Sequence, residues 1–341
     1  MRKLLTLVIP AYNEEKLLQG TADSVARAMF EAGVPFEILF VDDGSSDGTW
    51  DIIASIARRR DYVRGVRLSR NFGKESAIFA GLNRASGDCC VVMDCDLQHP
   101  PAVAVEMYRL WLQNDVDIVE GKKKKRGRES LAYRLSAGLF YRLLRSSSGI
   151  NLENMSDFKL LDRKVVDAII AMPEKQTFFR AMPGWMGFQS AEVFFDVPER
   201  EGGKTRWSLK GLVKLAVTAI TSYSALPMQL VTLCGIGFFI FALVMIVQTL
   251  YQKLSGHAVE GFTTVILLLL IIGSVIMFSL GVIGVYLARI YEEVKCRPKF
   301  IISEAAGQER AESAGKRVDK QRVIPENGDL SDGEGRDEIG A

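Results

Sequence analysis

Two long stretches near the C-terminal end of this chain carry no charge. None falls between Lys214 and Lys253, and none between Glu260 and Arg289. A helix needs roughly 20 apolar residues to cross a bilayer core of ~30 Å. Residues 226–251 and 262–288 both exceed that, and a helix buried in a soluble core rarely runs so far without a charge. Lys204, Arg206, Lys210 and Lys214 precede the first stretch, and Arg289, Lys295, Arg297 and Lys299 follow the second. The loop at 252–261 carries only Lys253, His257 and Glu260. Basic flanks stay on the cytosolic side. Two spans are therefore expected, with the first 200 residues and the C-terminal tail in the cytosol and the loop outside. Met1-Arg2-Lys3 and the short apolar run into Pro10 lack the apolar region and cleavage site of a signal peptide.

The net charge of +2 hides that asymmetry. Five cysteines (Cys89, Cys90, Cys95, Cys234, Cys296) form no Cys-x-x-Cys pair and read as reduced and structural, as in a cytosolic domain. Two histidines leave little material for His-based metal sites or Ser/His/Asp hydrolysis.

Residues 1–120 alternate short β-rich runs with helical stretches. The runs fall at 4–9, 36–41, 63–68, 89–93 and 117–119, the helices near 14–32, 49–60, 74–85 and 101–114. This spacing predicts a parallel sheet covered on both faces, with ligands beyond the carboxyl ends of the strands. Residues 122–128 (KKKKRGR) read as a basic loop, and 130–146 and 208–222 as basic amphipathic helices able to lie in the headgroup plane. Beyond Ser303 the chain is polar, charged and poor in aromatics, which predicts a disordered tail over 303–341.

Three polar segments fall at the expected ligand edge. Asp94-Cys95-Asp96 ends the apolar run 89–93 and is followed by Gln98. A buried strand stopping on two carboxylates one residue apart needs a positive partner, and oxygen-only ligands suit magnesium or manganese bridging to a diphosphate. In Asp42-Asp43-Gly44-Ser45-Ser46-Asp47-Gly48-Thr49, Asp47 is placed to cap the next helix. Asp42 ends the strand and could accept hydrogen bonds from a nucleobase or ribose. Pro10-Ala11-Tyr12-Asn13-Glu14 completes the edge.

PAYNEE (10–15), VDDGSSDGT (41–49), SRNFGKESAIFAGL (69–82) and MDCDLQHPP (93–101) resemble family 2 glycosyltransferases of GT-A fold, an α/β architecture with a mainly parallel, Rossmann-like sheet. SDFKLLDR (156–163) and the segment 200–208 narrow the resemblance to polyisoprenyl-phosphate glycosyltransferases, which include dolichol-phosphate mannose synthases and bactoprenol glucosyltransferases. The two spans and short tail look like the bactoprenol branch. The expected organisation is a catalytic domain over 1–200, an amphipathic interface segment over 201–225, a transmembrane hairpin over 226–288, a juxtamembrane segment over 289–302 and the tail.

The resemblance implies that Pro10, Tyr12, Glu14 and Asp42 hold the nucleotide, and that Asp94, Asp96 and Gln98 surround a Mg2+ or Mn2+ ion and the diphosphate. Arg200 matches an arginine that contacts the diphosphate, with Lys204 nearby; Arg134 and Ser136 match positions near the lipid phosphate. Lys123 stands where an arginine is usual and keeps the charge but not the bidentate fork. Cys95 replaces a frequent alanine without touching ligation. Asp157 matches the family's candidate base, with binding of a donor-sugar hydroxyl or a plain turn as its other readings. Because a phosphate monoester has a second pKa of about 6, the acceptor is already mostly dianionic near neutrality and needs a base less than a hydroxyl would.

The implied reaction is inverting transfer of a sugar from a nucleotide-sugar, UDP-glucose being favoured, to a polyprenyl phosphate such as undecaprenyl phosphate at the cytosolic membrane face. GDP-mannose or a modified-pentose donor stays open. A processive polysaccharide synthase fits less well, since Arg206-Trp207 is preceded by Gly203 where that class has glutamine, and two spans make no channel. A nucleotide-sugar-binding membrane scaffold without activity is the reading from another class. Nucleic acid is not an expected partner, because KKKKRGR belongs to an integral membrane protein. Gly235, Gly237, Gly273, Gly281 and Gly284 permit close helix contact and a homo-oligomer, and tetramers occur in the similar bactoprenol branch, though nothing in this sequence counts the subunits.

Overall fold

In the computed structural model the described residues are 3–123, 156–172, 174, 179–180, 182–196, 226–255 and 261–308. Arg134, Ser136, Arg200 and Lys204, and the segments 130–146 and 208–222, lie outside them. The elements run β1 Leu5–Ala11, α1 Leu18–Ala32, β2 Phe36–Asp42, α2 Thr49–Arg59, β3 Val63–Leu68, α3 Lys74–Arg84, β4 Cys89–Val92, α4 Pro101–Gln113 and β5 Ile118–Lys123. They continue as β6 Lys159–Asp162, α5 Arg163–Ala171, the single turn α6 Met182–Trp185, β7 Ser190–Phe195, α7 Leu226–Leu254, α8 Phe262–Val294 and β8 Ile302–Ala306.

The strands form one mixed sheet in the order β7-β5-β6-β4-β1-β2-β3-β8. β4, β1, β2 and β3 are mutually parallel, as are β5 and β7, whereas β6 and β8 run antiparallel to their neighbours. The period-two alternation of strands sorts the core. Leu5, Leu7 and Ile9 pack with Phe36, Ile38 and Phe40 under α1, α2 and α4, while Val8, Leu39, Val41 and Val66 pack under α3 and α5. Cys89, Cys90 and Cys95 are buried and free. Burial pushes the Cys90 and Cys95 thiols up to about 12, as expected of structural rather than reactive cysteines.

The structure departs from the sequence reading in two places. β5 runs on to Lys123, so Lys122 and Lys123 are strand residues and not part of a loop; the parallel partner β7 extends the pairing through Phe195 opposite Lys123. The expected tail is still strand through Ala306, because Ile302–Ala306 closes the free edge of β3. Of the two apolar helices, α8 contains the single stretch among the described residues that is long and apolar enough to span a bilayer, Ile271–Val294 with mean hydropathy 2.3, none of it buried. The described apolar stretch of α7, Val231–Met245, is shorter.

A buried polar knot ties the opposite edge of the sheet. Glu37 Oε1 accepts from Thr6 Oγ1 at 2.6 Å and from Ser86 N at 2.7 Å, and Glu37 Oε2 pairs with Arg64 Nη1 at 3.3 Å. Breaking such a buried pair by removing one partner costs about 3–5 kcal/mol, because the other charge is left uncompensated.

The segment Phe179–Arg180 is tied to the start of α3, where Phe179 N donates to Glu75 Oε2 at 2.8 Å. Burial pushes the Glu75 carboxyl up to about 7 against the pull of that N–H bond, and Asp157 adds to the rise. The unfolded chain therefore releases this proton first, and stability drains away as pH rises from the ordinary glutamate range through 7. Glu75→Gln, which keeps an acceptor for Phe179 N, should melt higher than wild type at pH 8 and alike at pH 5. Thermal melting of the purified protein at both pH values checks this; a lower melting point for the variant at pH 8 would overturn it.

Candidate active site

The carboxyl ends of β1, β2 and β4 leave the sheet side by side, and the loops that follow are bound to one another. Asn13 N donates to Ser45 Oγ at 2.9 Å, Ser46 N returns a bond to Asn13 Oδ1 at 2.9 Å, and Glu14 N donates to Thr49 Oγ1 at 2.9 Å. Glu15 accepts from Gly48 N at 3.0 Å, and Asp47 Oδ1 accepts from Thr49 N at 3.1 Å. α1 therefore starts at Leu18, later than the periodicity suggests, because residues 13–15 are spent on this lattice. Gly44 has φ +67°, and a Cβ there would lie 2.4 Å from the Arg70 carbonyl carbon. Only glycine lets the turn after β2 press so closely on the loop before α3. Asp43 then holds that loop, its carboxylate accepting from Phe72 N at 2.8 Å and Gly73 N at 2.9 Å.

These loops enclose a cleft of about 320 Å³. Pro10, Tyr12 and Glu14 line it from the first loop, Asp94 and Asp96 from the end of β4, and Asp43, Asn71, Gly73, Lys74 and Ala77 from the rest. Five of the sequence-predicted residues thus meet in one place. Asn13 and Leu97 adopt positive φ, both at 55°, in the two loops that flank the cleft. Left-handed backbone in a leucine costs of order 1–2 kcal/mol and gathers where function demands a shape.

Asp42 is not on the cleft wall. It is 0 % exposed, its Oδ1 accepts from Ser45 N at 2.9 Å, and its Oδ2 faces Arg67 Nε at 3.3 Å without a hydrogen-bonded partner. Arg67 is held in turn by Glu304 of β8 at 2.9 Å, and the same carboxylate accepts from Trp50 Nε1 at 2.8 Å. Gln98 also falls outside the lining; its N–H donates to Asp96 Oδ1 at 3.1 Å. Asp94 N donates to His99 Nδ1 at 3.1 Å, and the His99 ring stacks on Phe158 at 4.7 Å, which fixes the turn after β4 on the segment leading into β6 that carries Asp157.

Asp157 is 4 % exposed and meets two cations: Lys74 Nζ lies 2.7 Å from its Oδ2, and Arg180 Nε lies 2.7 Å from its Oδ1, with Arg180 Nη2 3.0 Å from Oδ2. Burial alone would raise this carboxyl, but the Arg180 fork and the Lys74 charge outweigh it and hold it well below the usual carboxylate range. Lys74 Nζ also reaches Asp94 Oδ1 at 2.6 Å. Sequence reasoning passed over Lys74 and Asp43 although both sit inside quoted motifs, and over Arg180, for which no local pattern exists.

The donor set fits a hard divalent cation. Asp94 and Asp96 offer carboxylate oxygens at the cleft with Gln98 beside them, and among the described residues no group of three His, Cys, Asp or Glu converges on a closed metal cage. Magnesium-type sites are commonly completed by substrate phosphates and water around one or two carboxylates.

The glycosyl transferase family 2 model matches residues 6–170, which span β1 to α5 and contain every cleft-lining residue. The uncharacterized glycosyltransferase YkcC of Bacillus subtilis is 35% identical over 311 residues, covering 89% of this chain and 94% of that protein. The SfII prophage-derived bactoprenol glucosyl transferase of Shigella flexneri is 35% identical over 306 residues, covering 88% and 98%. Among solved structures, glucosyl-3-phosphoglycerate synthase from Mycobacterium tuberculosis in complex with Mn2+, UDP-glucose and phosphoglyceric acid aligns with TM-score 0.48 and 19% identity over 64% of this chain and 79% of that one, too loose a likeness to carry a role across. Identity at 35% along nearly the whole length of curated glycosyltransferases is the mark of common descent: this chain belongs to glycosyltransferase family 2.

Proposed function

We propose that the protein transfers glucose from UDP-glucose to a polyprenyl phosphate at the cytosolic face of a membrane, with inversion at the anomeric carbon. The observation that carries this reading is the 35% identity over 88% of the chain to a bactoprenol glucosyl transferase, of which 98% is covered, apolar C-terminal region included. The acidic cleft at the strand ends and the exposed apolar helix α8 are what such a reaction needs: a place for a diphosphate and an anchor beside the lipid.

In this reaction the bond between the anomeric carbon and the donor's diphosphate oxygen breaks, and its electron pair leaves on the diphosphate. An acceptor phosphate oxygen bonds the same carbon from the opposite face. With a second pKa of about 6 the acceptor is largely dianionic near neutrality, so no proton has to be removed. Asp94 and Asp96, with Gln98 beside them, would hold a magnesium or manganese ion, which supplies positive charge to the departing diphosphate. Tyr12 and Glu14 stand on the cleft wall where the nucleoside would lie, and Asp43 keeps that wall in shape through Phe72 N and Gly73 N. Lys123, Arg134 and Ser136 are assigned to the acceptor phosphate, and Arg200 and Lys204 to the diphosphate.

Purified full-length protein given undecaprenyl phosphate, magnesium or manganese, and labelled UDP-glucose, UDP-galactose, UDP-GlcNAc or GDP-mannose in separate reactions should pass label into lipid extract from UDP-glucose. Chelation should stop transfer and added metal restore it. Asp96→Ala should lower the rate by at least about 100-fold, more than losing an outer partner of a metal site usually costs. Transfer from another donor alone would correct the sugar; none from any would sink the reading.

Two spans, with α7 and α8 as an antiparallel hairpin, place Cys296 in the cytosol and Ser255 outside. A membrane-impermeant maleimide should label Ser255→Cys in intact cells, and Cys296 only after permeabilisation. The reverse pattern would invert the topology.

A further inference from the structure

The motif 69–82 delivers a lysine that none of the assigned roles uses. Lys74 opens α3 on the cleft wall, its side chain 42% exposed, and its ammonium bridges Asp94 Oδ1 at 2.6 Å and Asp157 Oδ2 at 2.7 Å. An ammonium carries three donors. Among the described residues these two carboxylates are its partners, which leaves one N–H for a ligand in the cleft. Asp157 is differently placed. Almost wholly buried, it receives the Arg180 fork on both oxygens and Lys74 on one, so both carboxylate oxygens are engaged by cations. A carboxylate held by two cations is poorly suited to take a proton and well suited to fix an ammonium.

We propose that Lys74 is a phosphate-binding residue of the transfer site, and that Asp157, braced by Arg180, serves the reaction by positioning that ammonium and not as a proton acceptor. The proposal rests on the sugar-transfer reading above. The ligand of Lys74 is a phosphoryl group, supplied either by the donor's diphosphate or by the acceptor's monoester. Should a metal ion draw Asp94 away, Asp157 would still hold Lys74, and a second N–H would turn to the substrate.

Lys74→Met, Lys74→Arg, Asp157→Asn and the double variant Lys74→Met/Asp157→Asn, purified at full length, separate the possibilities. Lys74→Met should lower kcat/KM by about 10- to 100-fold, the size of one charge-assisted hydrogen bond, and Lys74→Arg should recover part of the loss. A rise in KM for UDP-glucose assigns the ammonium to the donor, a rise in KM for undecaprenyl phosphate assigns it to the acceptor, and a fall in kcat alone assigns it to charge that develops on the leaving diphosphate. The double variant should be hardly worse than the worse single one, since Asp157 acts through Lys74. Two results overturn the proposal: Lys74→Met within threefold of wild type in both titrations, or additive losses in the double variant with Asp157→Asn far the more severe. If wild type transfers no sugar, the functional reading falls by itself. Calorimetric binding of UDP and of inorganic pyrophosphate to wild type and Lys74→Met then decides for Lys74, equal affinities removing it from the phosphate site.

Discussion

Carboxylates gathered at one sheet edge repel each other, and the site exists only because something answers each of them. Asp43 is met by two backbone N–H groups, Asp42 by Ser45 N and the Arg67 guanidinium, Asp157 by Lys74 and Arg180, and Asp94 by Lys74 again. The parallel strands β4, β1 and β2 force the crowding, since they all end on the same side. Acidic residues at three such ends would be unaffordable without those partners. The loops are consequently tied to each other before any substrate arrives: Gly44 lets the turn after β2 touch Arg70, and Asp43 then fixes the backbone that presents Lys74. Preorganised charge of this kind is worth more to a reaction that generates a diphosphate leaving group than charge assembled during it.

The Rossmann-like half of the fold is legible in the sequence because each of its elements is locally consistent. Cys89–Val92 is apolar throughout and buried on both faces, and Thr49–Arg59 shows a clean apolar stripe of Trp50, Ile53 and Ile56. β6 and β7 were missed for the opposite reason. Lys159 heads a buried strand only because Glu120 of β5 neutralises it, and Ser190–Phe195 has a charged and an exposed aromatic residue on its outer face. Such strands are recruited by their neighbours, which no local pattern announces. Site legibility splits the same way. Asp94, Asp96, Tyr12 and Glu14 end or follow obvious strands, whereas Arg180 reaches Asp157 from a segment with no periodicity, placed through the bond from Phe179 to Glu75.

β8 follows the same logic from the other end of the chain. Its sequence, Ile302 to Ala306, is too polar to be read as a strand, yet β3 would otherwise be an open edge. Glu304 gives it a second task, joining Trp50 of α2 to Arg67 of β3, so the segment beyond the apolar helix α8 is fastened two contacts away from Asp42.

The apolar helices impose the final constraint. Leu233, Phe239 and Val247 on α7, and Met277, Phe278 and Leu287 on α8, are all largely exposed. A contiguous apolar surface on this scale is not sustained in water, and a bilayer is the solvent that removes the penalty. On the proposed reading, with α8 in a membrane and β8 fastened to the sheet, residues 295–301 are all that would separate lipid from catalytic domain. A tether that short would hold the sheet near the headgroups, where the phosphate of the proposed isoprenoid acceptor would sit while its tail remained in the hydrocarbon. On that reading the cleft would have no need to extract its acceptor from the bilayer. A lysine held between the buried Asp157 and the half-buried Asp94 is a low-entropy way to keep a cation ready for a phosphoryl group there.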